Sequence, residues 1–407
     1  MINIVDPAEV GLSAERLERL GRHLNGYVDS GRLPFASVLV SRYGQPAYLH
    51  SYGKMDVEAD KSVQEDTIVR IYSMSKPITS VAAMMLYEEA KFQLGEAVSN
   101  YIPSLANPDV FIGGDADNPQ TVPAERDYSI REIFTHTGGL TYGFDRGGVV
   151  DEMYQKNKIK TGNTDYGLDE FCRRLGEMPL IAQPGSTWNY SMSTDVLGHL
   201  VEVISGENLD DFMRKRIFEP LGMEDTFFTV PSDKKDRFAA CYIPHRDGGL
   251  KLQDAPGTSR FTEPTNILSG GGGLMSTIGD YYKFAQMMAN GGELEGVRLL
   301  SPRTVDYMTR NHLPGNCDMA AMGQSVFSEV SYDGVGFGLG VHVVLDPAAA
   351  AYHTMAGEYG WGGMASTVWW NNPEEDMSLV FVTQLMPSST YQIRPEMRNL
   401  VHSAIVD

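Results

Sequence analysis

The chain has 407 residues, more than one compact core usually needs, which points to two structural units or to one with a large insertion. Its composition, 42% hydrophobic and 21% charged, is that of an ordinary globular protein, and 33 Lys and Arg against 53 Asp and Glu leave a formal net charge of −20. A surface that negative repels phosphate backbones and anionic lipid, which argues against nucleic acid and membrane partners. Three scattered cysteines, Cys172, Cys241 and Cys317, form no Cys-x-x-Cys pair, which argues against a disulfide framework and a zinc ribbon.

The opening residues carry no basic region followed by an apolar run, and no apolar stretch is long enough to span a bilayer, so a cytoplasmic location is expected. A helix is expected from Ser13, whose hydroxyl can cap it, with Leu17, Leu20, Leu24 and Tyr27 at helical spacing. Residues 35–41 and 46–52 read as a hairpin around Tyr43-Gly44-Gln45. Residues 73–92 are helical again, with Ile78, Val81, Ala82, Met85 and Leu86 on one side. From 95 to 264 short helices are expected at 128–134, 168–175, 193–204 and 209–218. The glycines 270–273 read as a tight turn leading into a helix at 276–289; no Gly-Lys-Ser/Thr follows them, so phosphate cradling is disfavoured. Strands are expected at 338–345, 365–370 and 378–384, the last two flanking a turn at 371–375, and a final helix at 394–405. Helix and strands at both ends with helices between them suggest an α/β unit built from both termini, 1–95 plus 265–407, and an inserted, mainly α-helical unit at 96–264.

Ser73-Met-Ser-Lys76 is a Ser-x-x-Lys. On a helix, residues three apart share a face, so the Lys amine reaches the Ser hydroxyl. A helix N-terminus also favours developing negative charge. The pattern recurs at Ser51-Tyr-Gly-Lys54 and Ser232-Asp-Lys-Lys235, but neither opens an amphipathic helix. By itself Ser73 reads equally well as a helix cap. No Gly-x-Ser-x-Gly elbow occurs, and the nine histidines include no ligand-spaced pair, so neither an α/β-hydrolase nor metal catalysis is expected. His136, His199 and His353 read as hydrogen-bonded structural residues, with His353 and Glu358 placed to border a cleft.

The longer text around Ser73, from Arg70 to Ser80, resembles the nucleophile segment of the serine β-lactamase and penicillin-binding-protein superfamily, in particular class C β-lactamases and the related family VIII carboxylesterases. Residues 129–140, 190–198, 218–226 and 272–276 resemble further stretches of that family in matching order. The resemblance implies an α/β fold, a mainly antiparallel sheet flanked by helices with an inserted α-helical domain. It also implies Ser73 as nucleophile, Lys76 as its partner and Tyr190 as the tyrosine base, with either the neutral Lys or the tyrosinate as the resting base. Met192 stands where lactamases carry an amide-bearing Asn. The lactamase Lys-Thr-Gly position is filled by Gly360-Trp361-Gly362-Gly363, and the literal Lys160-Thr-Gly162, which precedes Tyr190, reads as a decoy. Trp361 then forms an apolar wall, and the N–H groups of Ser73 and Met364 make the oxyanion hole.

These substitutions favour a serine carboxylesterase acting on small carboxylic esters, without metal or organic cofactor. The alternatives are a β-lactamase or D-alanyl peptidase, an acyltransferase using the same site, and a non-enzymatic penicillin-recognising sensor. Acyl length, alcohol preference and oligomeric state are not encoded in any motif.

Overall fold

The computed structural model describes residues 2–143, 148–162, 164–323 and 332–407. Among these, eight strands form one antiparallel sheet: β1 (Phe35–Arg42), β2 (Gln45–Asp56), β3 (Lys61–Ser62), β4 (Val335–Phe337), β5 (His342–Val344), β6 (Tyr359–Gly362), β7 (Val368–Asn372) and β8 (Met377–Val382). Their order across the sheet is β4-β5-β6-β7-β8-β1-β2-β3. The chain ends therefore meet in the middle, where β1 pairs with β8 in the register Val38↔Phe381.

The central strands are buried along their whole length because both faces of the sheet are covered. Successive side chains alternate between two cores. Val38, Val40, Trp370, Leu379 and Phe381 face the helices α1 (Ala14–Asp29) and α5 (Ile393–His402), meeting Leu17, Leu20, Met397 and Val401. Leu39, Trp369, Val380 and Val382 join the other core, with Ile78 of α2 (Ser75–Glu88), Val196 and Leu200 of α3 (Ser193–Ser205), and Tyr281 and Phe284 of α4 (Ile278–Ala289). Each such aliphatic side chain contributes about 1.5–3 kcal/mol of transfer free energy. Ser13 caps α1 as expected, its hydroxyl accepting from the Arg16 N–H.

Residues 96–264 carry α3 and the short helices Ile130–Phe134, Val149–Lys156, Leu168–Gly176 and Leu209–Met213, the last widening into a π-helix at Arg214–Phe218. The segment also holds two ribbons, Asp109–Gly114 with Pro119–Pro123 and Cys241–Pro244 with Leu250–Asp254. The second returns to the sheet: the Ala240 N–H donates to Met55 O at 2.8 Å and the Tyr242 N–H to Gln384 O at 2.9 Å. No helix among the described residues is long and apolar enough to cross a membrane.

Local differences from the sequence reading have local causes. The strand expected at 338–345 is broken at 338–341, where Gly338 bonds Val341 O and Gly340 takes φ +93°; a Cβ at Gly338 would overlap the Met308 carbonyl. The helix expected to reach 92 stops at Glu88, and Ala90 turns to φ +56°. The turn expected at 371–375 is shorter, because β7 runs on through Asn371 and Asn372, both buried, and Asn371 donates to Ala285 O on α4.

Candidate active site

The segment before α2 is fixed from both sides. Arg70 is buried, its guanidinium bonded to Asp254, Ser259 and Ala239 O. The Gln384 side-chain amide brackets the same residue, accepting from its N–H and donating to its carbonyl, each at 3.1 Å. Tyr72 then adopts φ +43°, uncommon for a bulky side chain and a store of backbone strain beside Ser73. Ser73 lies in the 3-10 turn Tyr72–Met74 that feeds α2.

Lys76, one turn on, is fully buried, with Nζ 3.2 Å from Ser73 Oγ. The amine donates to Gly271 O at 2.7 Å and to the Tyr142 hydroxyl at 2.7 Å. A neutral amine has two N–H donors and one lone pair, so these acceptors use both donors and leave the lone pair for the Ser73 hydroxyl. Burial favours that state, bringing the Lys76 pKa down to about 7 against a smaller upward pull from Asp195. Asp195, also buried, accepts from Ser269 Oγ at 2.5 Å and from the Gly271 N–H at 3.1 Å, and so holds the carbonyl that Lys76 uses. This explains the glycine run at 270–273: a Cβ on Gly271 would press on the Asp195 carboxylate, and one on Gly270 on the Thr194 carbonyl.

Tyr190 enters through a short pairing of 189–192 with the loop after the Ile130–Phe134 helix: the Asn189 N–H donates to His136 O and the Met192 N–H to Thr141 O. The same loop delivers Tyr142. Nothing in the sequence singled out Tyr142, because its position depends on this long-range pairing. The Lys76 Nζ lies 4.6 Å from the Tyr190 ring centroid and bonds Tyr142, not the Tyr190 hydroxyl. Burial pushes Tyr190 up to about 12, although hydrogen bonds with Ser73, Trp361 and Tyr142 pull it back. A tyrosinate held by a lysine cation is therefore opposed by burial at both residues.

Trp361, on β6, packs against Tyr190 and Phe337, with ring centroids 5.5 and 5.2 Å apart. It also donates its indole N–H to the Tyr190 hydroxyl at 3.1 Å, a role the sequence did not suggest. Gly362 and Gly363 follow because neighbours occupy the Cβ positions: the Arg394 guanidinium at Gly362, the Ile71 carbonyl at Gly363. The end of β6 is thereby laid directly on the segment leading to Ser73.

These groups surround a cavity of about 620 Å³ lined by Ser73, Tyr142, Tyr190, Met192, Trp361 and Met364, among others. Lys160 and Thr161 also line it, from a loop and not from a strand of the sheet. Glu358 is fully buried against Arg398 behind the cavity wall, and His353 stacks on His402 at 4.8 Å. Among the described residues no group of three or more His, Cys, Asp or Glu is placed to hold a metal ion.

The Beta-lactamase family model matches residues 20–402. Esterase EstB of Burkholderia gladioli is 31% identical over 399 residues, covering 93% of each chain. Among solved structures, EstCE1, described as a hydrolase with promiscuous acyltransferase activity, is 25% identical with a TM-score of 0.79, covering 96% of this chain and 98% of its own. Simvastatin synthase LovD from Aspergillus terreus is 25% identical with a TM-score of 0.80, covering 97% and 98%.

Proposed function

The chain belongs to the Beta-lactamase family, and from that membership we propose that it is a serine carboxylesterase of the family VIII kind, hydrolysing small carboxylic esters through an acyl-enzyme on Ser73. The observation that carries this reading is Lys76 Nζ, 3.2 Å from Ser73 Oγ and with its pKa brought to about 7 by burial, at the wall of a cavity to which Trp361 and Met192 contribute apolar surface.

Neutral Lys76 takes the Ser73 proton as Oγ attacks the ester carbonyl. The oxyanion that forms is directed to the N–H groups of Ser73 and Met364; losing one such donor costs about 3 kcal/mol. As the carbon–oxygen bond to the alcohol breaks, the Tyr190 hydroxyl, hydrogen-bonded with Ser73 and Trp361, passes a proton to the departing oxygen and recovers one from Lys76 through Tyr142. Water entering the emptied alcohol side is deprotonated by the same groups and releases the acid. Met192 and Trp361 replace the polar groups that hold a lactam, which argues against β-lactamase or peptidase activity. The retained Ser, Lys and Tyr argue against a sensor that never turns over.

A second reading, transfer of the acyl group to an alcohol other than water, is favoured by the cavity volume of about 620 Å³ and by the likeness to EstCE1 and LovD. The test is a panel of 4-nitrophenyl esters of increasing acyl length beside nitrocefin, with wild type and Ser73→Ala. Ester turnover that vanishes in the variant is expected. Nitrocefin turnover rivalling that of the esters overturns the esterase assignment, and new esters formed on adding alcohols establish transfer.

A further inference from the structure

The cavity wall departs from the composition of the chain that builds it. Acids outnumber bases 53 to 33 in the sequence, yet among the described residues Lys158, Lys160, Arg260, Arg394 and Arg398 line the cavity, and no Asp or Glu does. Two of these cations serve the scaffold: Arg398 bonds the buried Glu358 carboxylate, and Arg394 the carbonyls of Gly363 and Thr367. Lys158, Lys160 and Arg260 are different. They are exposed, which places them at the mouth, and no carboxylate pairs with any of them among the described residues.

Their placement is built into the fold. The Tyr166 hydroxyl reaches the carbonyls of Lys158 at 2.7 Å and Lys160 at 3.4 Å, and Ile159 between them is buried, so the two flanking lysines turn outward. Arg260 crosses the same loop: its guanidinium occupies the space a Cβ would take at Gly162, which sits at φ +149°. The guanidinium also stacks on Phe261 at 4.6 Å, and Phe261 meets Tyr72, the neighbour of Ser73, edge-on at 6.0 Å.

We propose that the preferred substrates are esters bearing a negative charge, a carboxylate or phosphate, held by Lys160 and Arg260 with Lys158 beside them. The proposal rests on the esterase reading above. On a protein of net charge −20 an anion is repelled over most of the surface, so unpaired cations gathered at one mouth both admit it and orient it. The attraction is screened over a Debye length of about 8–10 Å at physiological salt, which makes it readable through ionic strength.

Two matched pairs test this and locate the charge: mono-4-nitrophenyl glutarate against 4-nitrophenyl pentanoate for an anion on the acyl part, and 3-acetoxybenzoate against phenyl acetate for one on the alcohol. In at least one pair the anionic member should show about tenfold higher kcat/KM at low salt, seated in KM and shrinking as salt is raised. The double exchange Lys160→Glu with Arg260→Glu should reverse that preference. Equal treatment of both members by wild type, or an exchange that slows both alike, overturns the proposal. Ser73-dependent turnover without anion preference removes this inference and leaves the esterase standing; loss of all Ser73-dependent turnover removes the esterase reading instead. In that case, calorimetric titration of Ser73→Ala with the same pairs reads the anion preference directly, and equal affinities overturn it.

Discussion

An amine brought to about pH 7 by burial is half neutral at neutral pH, whereas an exposed lysine is almost wholly charged. If neutral Lys76 is the base, activity needs the unprotonated form, so kcat/KM for a neutral ester rises as pH climbs through about 7 and then levels. A profile flat from pH 5.5 to 9 contradicts this. Lys76→Arg stays protonated, and should lose about 10²–10⁴ in rate together with the pH step. Trp361→Phe keeps the aromatic wall but removes the indole N–H from the Tyr190 hydroxyl. A loss of about tenfold in kcat/KM is expected, the scale of one hydrogen bond, measured by steady-state kinetics on a single ester.

At the scale of elements, the end of β6 sets the distance between Trp361, Met364 and Ser73, because Gly363 rests on the Ile71 carbonyl. Gly363→Ala must push that strand end away, and should cost about 10²-fold in kcat. Gly257→Ala, where a Cβ meets nothing within 4 Å, should be silent in the same assay. Helices α1, α2 and α3 were legible in the sequence because cap and periodicity are local signals: Ser13 before Leu17 and Leu20, and the run from Ile78 to Leu86. The hairpin of β1 and β2 was legible for the same reason. Strands β4 and β6 were not read as strands, and β5 was read as part of a longer one at 338–345, since runs of three or four residues carry no usable period and the glycines among them answer to distant neighbours. Tyr142 and Asp195 were invisible for a related reason. Their roles arise where loops 136–142 and 269–273 are brought against Tyr190 and Lys76, and neither contact has a sequence spacing.

For the whole molecule, the C-terminal helix α5 ties the sheet to the back of the cavity. Arg398 reaches Glu358, which is fully buried; burial alone would push that carboxyl up, but Arg398 together with His402 and His342 outweighs it and holds it at about 2. The stability this pair contributes is present above the ordinary carboxyl value of about 4.5 and is lost as pH falls from there towards about 2. Arg398→Met leaves the Glu358 charge without that cation, and should lower stability by about 3–5 kcal/mol at neutral pH, read by denaturant unfolding. An unchanged midpoint contradicts that account. All of these devices converge on one proposed chemical event, acylation of Ser73, and rapid-quench mass spectrometry with 4-nitrophenyl acetate tests it directly. The account predicts one acetyl group on the peptide carrying Ser73, formed and lost at rates consistent with kcat and absent from Ser73→Ala. Undiminished turnover by that variant, or an acetyl group on another residue that keeps pace with turnover, would contradict it.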